Sequence, residues 1–125
     1  MVEALVPALT RQAFVTLVTN GDYAMGALAL ARSIRRTKTS AEIIVLHTEQ
    51  VEQEVLAPLA DMGCWLVEVD PLPLSDAFNA RHGRGAVHQA APFTKGRKPT
   101  FHSPLDNFCK LRLWELTEYE TCVFI

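Results

Sequence analysis

Residues 13–37 read AFVTLVTNGDYAMGALALARSIRRT. The apolar run from Ala13 to Val18 gives way to a polar turn, Thr19 to Asp22, and then to a pattern in which Tyr23, Ala27, Leu30 and Ile34 recur at intervals of three and four. The first part lacks strict polar alternation, as expected of a strand covered on both faces in a parallel sheet. The second part makes one apolar stripe of a helix able to pack on that sheet. Gly26 and Ala27 are small enough to suggest a close approach, and Arg32, Arg35 and Arg36 fall in the last turns, where cations suit the helix dipole.

The same alternation continues along the chain. Ile43 to His47, Cys64 to Val69 and Thr121 to Ile125 are further short apolar runs. Between the first two, Val51, Val55, Leu59 and Met62 predict a helix with Thr48 as N-cap and Gly63 as its stop, and Pro58 predicts a kink or an early end. Before the last run, Ser103, Pro104 and Asp106 supply a cap, a first-turn proline and an acidic residue three after the cap. The stripe of that helix is Leu105, Cys109, Leu113 and Leu116, and Phe108, Leu111 and Trp114 add a second apolar side, which predicts cover on more than one face. Strand and helix in this order predict a doubly wound α/β domain with a mostly parallel sheet and right-handed crossovers.

Composition sets the bounds. The chain has 125 residues, 49% of them hydrophobic and 21% charged, which excludes collagen-like and highly charged disordered classes and allows one core. A formal net charge of -2 gives no global attraction to nucleic acid or anionic lipid. No apolar stretch is long enough for a membrane span, and the opening MVEALVPALTRQ lacks the features of a signal peptide, so a cytoplasmic location is expected. Cys64, Cys109 and Cys122 form no CxxC pair and read as reduced, buried thiols.

Residues 70–102 form a proline-containing connection far longer than usual, a variable loop carrying Arg81, Arg84, Lys95, Arg97 and Lys98 with no acid between Asp76 and Asp106. It reads either as a phosphate-attracting segment or as a solvated loop. The chain also stops on Cys122-Val123-Phe124-Ile125, whereas domain termini usually lie in exposed segments, so a domain cut short is expected, with an uncovered strand edge and poor solubility.

In open α/β sheets ligands bind beyond the carboxyl ends of the strands. The turn Leu17 to Tyr23 lies there, with backbone groups, hydroxyls and a ring suited to a nucleotide; the alternative is that Asn20 or Asp22 only caps the helix and Tyr23 only packs. Neither GxGxxG nor GxxxxGK[ST] is present. Lys110 shares a helical face with Asn107 and Trp114, where it either balances a diphosphate or pairs with Asp106. His47, His82, His88 and His102 have no metal-ligand spacing, and no Asp-x-Asp is present, so no catalytic or metal-binding residue is assigned.

Two blocks carry a family resemblance. AFVTLVTNGDYAMGALALARSIRRT resembles the first strand and helix of family-8 glycosyltransferases, the group of glycogenin and galactinol synthase, and DNFCKLRLWELTEYETCVFI, from Asp106 to Ile125, resembles that family's KLRxWxLxxYxxCVFxDAD region. The resemblance implies a GT-A fold of which residues 1–125 are the N-terminal nucleotide-sugar-binding part. It further implies transfer of a hexose, with retention of configuration, from a UDP-sugar such as UDP-glucose or UDP-galactose to an acceptor the sequence does not name. By position Leu17, Thr19, Asn20 and Tyr23 match the residues that hold the uridine nucleotide, and Lys110 matches the lysine near the donor diphosphate. Mn²⁺ or Mg²⁺ is expected in the complete protein, since the family's metal-binding Asp-x-Asp would begin directly after Ile125. Without it the 125 residues are expected to bind donor but transfer no sugar; the competing reading is a non-catalytic nucleotide-binding or interaction module.

Overall fold

The computed structural model describes residues 11–82 and 105–125. Strand β1 (Gln12–Val18) leads into helix α1 (Gly21–Arg36), β2 (Glu42–His47), α2 (Gln53–Asp61), β3 (Trp65–Glu68), α3 (Asp76–His82), a 3-10 helix (Leu105–Glu115) and β4 (Thr121–Phe124). The four strands form one parallel sheet in the order β3-β2-β1-β4. The fold is therefore α/β with a parallel sheet, in keeping with a GT-A (Rossmann-like) half.

The continuous apolar runs divide between two cores. Ile43 and Val45 of β2 join Val18 of β1 beneath α1 and α2, whereas Ile44 and Leu46 join Ala13 and Val15 on the opposite face, under Cys109 of the 3-10 helix. Each buried Val, Leu or Ile contributes about 1.5–3 kcal/mol relative to exposure, so a strand with apolar residues on both faces is held only if both faces are covered. Among the described residues, no helix is long and apolar enough to cross a membrane.

Several details depart from the sequence reading. In α1 the buried stripe is Ala24, Ala27, Ala31 and Ile34, so the close approach comes from alanines; Gly26 faces open space, Leu30 is half-buried and Tyr23 is exposed. Thr48 does not cap α2. It is buried at the end of β2, and Glu52 occupies the cap position without a side-chain hydrogen bond. The helix runs through Pro58 to Asp61 and ends where expected: Gly63, at φ +83°, allows Gly63 N–H to reach Ala60 O and Cys64 N–H to reach Leu59 O. Arg35 reinforces this end by donating to the carbonyls of Met62 and Gly63 at 3.1 and 3.0 Å.

The expected loop over 70–102 contains a helix near its start. Ser75 Oγ accepts from Phe78 N–H at 3.1 Å and Asp76 stands in the first turn of α3, while Phe78 packs edge-on against Phe108 at 5.2 Å. The rest of that segment, with Arg84, His88, Lys95, Arg97, Lys98 and His102, and the Ser103-Pro104 cap, lies outside the described residues. The last helix has 3-10 winding, which aligns residues three apart. Phe108, Leu111 and Trp114 then fall in one row; Leu111 and Trp114 are exposed, so the expected second covered face is not formed at those positions.

A polar clasp joins the amino ends of the sheet. Arg11 donates to Glu42 Oε2 at 2.9 Å through Nη2 and to the Tyr119 hydroxyl at 3.0 Å, and Trp65 Nε1 donates to Glu42 Oε1 at 3.3 Å. These residues stand just before β1, at the start of β2, before β4 and at the start of β3. Burial pushes the Glu42 carboxyl up, but hydrogen bonds from Tyr119 and Arg11 outweigh it and hold the group below its ordinary value. Burial and the hydrogen bond to Glu42 push the Tyr119 phenol up from 10.0 to about 12.

Two outcomes follow from this packing. Leu46→Ala, at a fully buried position, is expected to lower stability by about 2–5 kcal/mol in denaturant unfolding, whereas Met25→Ala, on the exposed side of α1, should stay within about 0.5 kcal/mol. Because the folded phenol keeps its proton where the unfolded chain has lost it, the Tyr119 contribution is complete below pH 10.0 and fades as the pH climbs to about 12. Melting temperature against pH should fall through that interval, and Tyr119→Phe should flatten the fall; an unchanged slope would show that the clasp does not govern it.

Candidate functional site

Helix α1 leaves β1 toward one face of the sheet, and the 3-10 helix leading into β4 lies on the other. The carboxyl ends of these adjacent strands therefore open between diverging connections, the place where ligands settle in sheets of this kind. A cleft of about 320 Å³ is found there. Thr16, Leu17 and Thr19 form its β1 side, Phe124 and Ile125 its β4 side, and Tyr23 and Asn107 enter from the first turns of α1 and of the 3-10 helix.

The turn after β1 is held from behind. Gln50 Nε2 donates to the Thr19 carbonyl at 3.2 Å and the buried Thr48 hydroxyl does so at 3.5 Å. Asn20 Oδ1 accepts from Tyr23 N–H at 3.1 Å and so caps α1. Tyr23 itself is 37% exposed and lines the cleft. The same turn points the positive end of α1, with Asp22 in its first turn, toward the cleft.

Of the residues singled out in the sequence, Leu17, Thr19 and Tyr23 line one cavity. Asn20 stands behind it as the helix cap. Lys110 does not line it, but its ammonium lies 6.0 Å from the centroid of the Phe124 ring, which does. No ion pair joins Lys110 to Asp106 among the described residues. The sequence reading passed over Thr16, Asn107, Phe124 and Ile125 as lining residues and Thr48 and Gln50 as supports. The place of Phe124 and Ile125 in the cleft depends on β4 pairing with β1, which no local pattern encodes.

Burial pushes the thiols of Cys64, Cys109 and Cys122 up, so none is activated as a thiolate. His47 is buried with Nδ1 3.3 Å from the Thr48 carbonyl, and His82 stacks on Phe78 at 4.3 Å. Among the described residues, no three of His, Cys, Asp and Glu gather where they would hold a metal ion. A second depression of about 300 Å³, beside β3, sets Glu68, Asp70, Glu115 and Glu118 against a single cation, Arg112, which is already paired with Glu115 and bonded to the Asp70 and Pro71 carbonyls, so it does not suit an anionic ligand. The first cleft, with hydroxyls, an aromatic ring and a nearby cation, does.

No family model matches the chain. Over 117 residues, 94% of this chain, it is 34% identical to human (Homo sapiens) glycogenin-1 and spans 29% of that protein. It is 28% identical over 129 residues to UDP-glucuronate:xylan alpha-glucuronosyltransferase 2 of Arabidopsis thaliana, covering 99% of this chain and 17% of that protein. With galactinol synthase 7 of the same plant it shares 27% identity over 126 residues, all of this chain and 32% of the relative. The chain thus spans at most about a third of the curated relatives named here, and the similarity runs through the group that its two sequence blocks resemble.

Asn20→Ala is expected to cost about 1 kcal/mol by removing the α1 cap. Urea unfolding measures the loss, and the Tyr23 ring signal by NMR should broaden or shift as the first turn loosens; an unaltered midpoint would show that the cap carries no weight.

Proposed function

We propose that this chain is the donor-binding part of a glycosyltransferase that moves a hexose, with retention of configuration, from a UDP-sugar such as UDP-glucose or UDP-galactose to an acceptor. The observation that carries the proposal is the cleft at the carboxyl ends of β1 and β4. It combines Leu17, Thr19 and Tyr23 in one cavity, beside Lys110, in a chain similar over nearly its whole length to glycogenins and a galactinol synthase. On this reading Tyr23 stacks on the base, the turn around Thr19 and Asn20 positions the ribose, and Lys110 balances the diphosphate.

Breaking a sugar–phosphate bond builds negative charge on the leaving diphosphate, which a divalent cation offsets when one is bound. Mn²⁺ or Mg²⁺ is part of the reading for the complete enzyme. The described residues offer no donor set for such an ion, so within these residues the proposed role is to bind and orient the donor.

Calorimetric titration with UDP, with GDP as the control, tests the proposal. UDP is expected to bind more tightly than GDP, and Tyr23→Ala should weaken UDP by about 1–3 kcal/mol through lost stacking. Equal or absent binding of the two nucleotides would overturn it. Incubation of the 125-residue chain with UDP-hexose, with and without Mn²⁺, should give no sugar transfer above background; clear turnover would refute the assignment of a binding role alone.

A further inference from the structure

The 3-10 winding of residues 105–115 has a consequence for the cleft. In such a helix side chains three apart eclipse one another, with about 6 Å of rise between them. Asn107, Lys110 and Leu113 therefore form one row, continued by Leu116 just past the end of the helix. Leu113 and Leu116 pack on the core under β1 and β2, which fixes that end of the row against the sheet. Its other end reaches past the strands: Asn107 lines the cleft, and Lys110 lies over the ring of Phe124, another lining residue. With α-helical winding Asn107 and Lys110 would not be eclipsed.

Asn107 is exposed, and the hydrogen bonds found among the described residues leave its side-chain amide without a protein acceptor. An amide brings two N–H donors and no charge. Placed in the same row as an ammonium, and at the mouth of a cleft whose opposite side carries Thr19 and Tyr23, it is suited to a phosphoryl oxygen that Lys110 also attracts. On the basis of the function proposed above, we infer that Asn107 contacts the phosphate end of the bound nucleoside diphosphate, as a neutral donor next to the Lys110 cation. Such a donor fixes the direction of the diphosphate where a flexible ammonium supplies only charge.

The test is titration of the full 125-residue chain and of Asn107→Ala and Asn107→Asp with UDP and, separately, with uridine. Asn107→Ala should weaken UDP roughly tenfold, the loss of one hydrogen bond to a charged group, and leave uridine unchanged. Asn107→Asp should weaken UDP further, because its carboxylate faces the phosphates, and again spare uridine. Thermal melting of each variant, expected to match the unaltered chain because the position is exposed, separates binding from folding. Equal losses for UDP and uridine would place Asn107 at the base or ribose and overturn the inference, as would no loss for either. Binding of neither ligand by the unaltered chain is a separate result: it would overturn the reading of the cleft itself and this inference with it.

Discussion

Strand β1 has to be satisfied in four directions at once. Its backbone pairs in parallel with β2 on one edge and β4 on the other, while its side chains alternate between two cores, Phe14 and Val18 toward α1 and α2, Ala13 and Val15 toward the 3-10 helix. Parallel pairing forces each connection to cross a face of the sheet, since a tight hairpin cannot return the chain to the same end. Covering both faces sends the connections on either side of β1 in opposite directions. The gap between them, at the carboxyl ends of β1 and β4, is the cleft. The proposed binding site is thus a by-product of covering the central strand.

The two ends of the sheet divide the work. At the amino ends Arg11, Glu42, Tyr119 and Trp65 join all four strands through hydrogen bonds and a charge pair, and the Arg11 guanidinium also lies 4.4 Å from the centroid of the Tyr119 ring. At the carboxyl ends the exposed rings of Tyr23 and Phe124 stand at the cleft. The clasp closes one end of the sheet, and the other end is open at the cleft.

The balance of groups at the cleft separates affinity from chemistry. Hydroxyls, an aromatic ring, a helix amino end and a neighbouring ammonium are all suited to holding a phosphorylated, planar-ringed molecule. None of them is a strong base or an activated nucleophile, and the three thiols are shifted away from reactivity. A transferase built on this site would therefore take its charge-stabilising chemistry from elsewhere and its donor orientation from here.

Much of this was legible in the chain itself. The mainly apolar runs over 43–47 and 13–18, which lack strict alternation, point to strands covered on both faces, because burial on two sides removes the reason to alternate polar residues. Asn20 and Gly63 mark helix ends through local backbone chemistry, and the position of the first turn places Leu17, Thr19 and Tyr23 at the carboxyl end of β1, where the cleft lies. What neighbours in sequence could not decide was decided by packing. Tertiary contacts turned α1 so that Ala24, Ala27 and Ala31 face the sheet, leaving Tyr23 for the cleft. The 3-10 winding put Asn107 in the same row as Lys110, and the pairing of Phe124 with Val15 brought Phe124 and Ile125 into the cleft that Thr19 also lines. Local preferences act over one turn or one strand, whereas a cleft lined by residues 16 and 125 exists only once distant segments share one sheet.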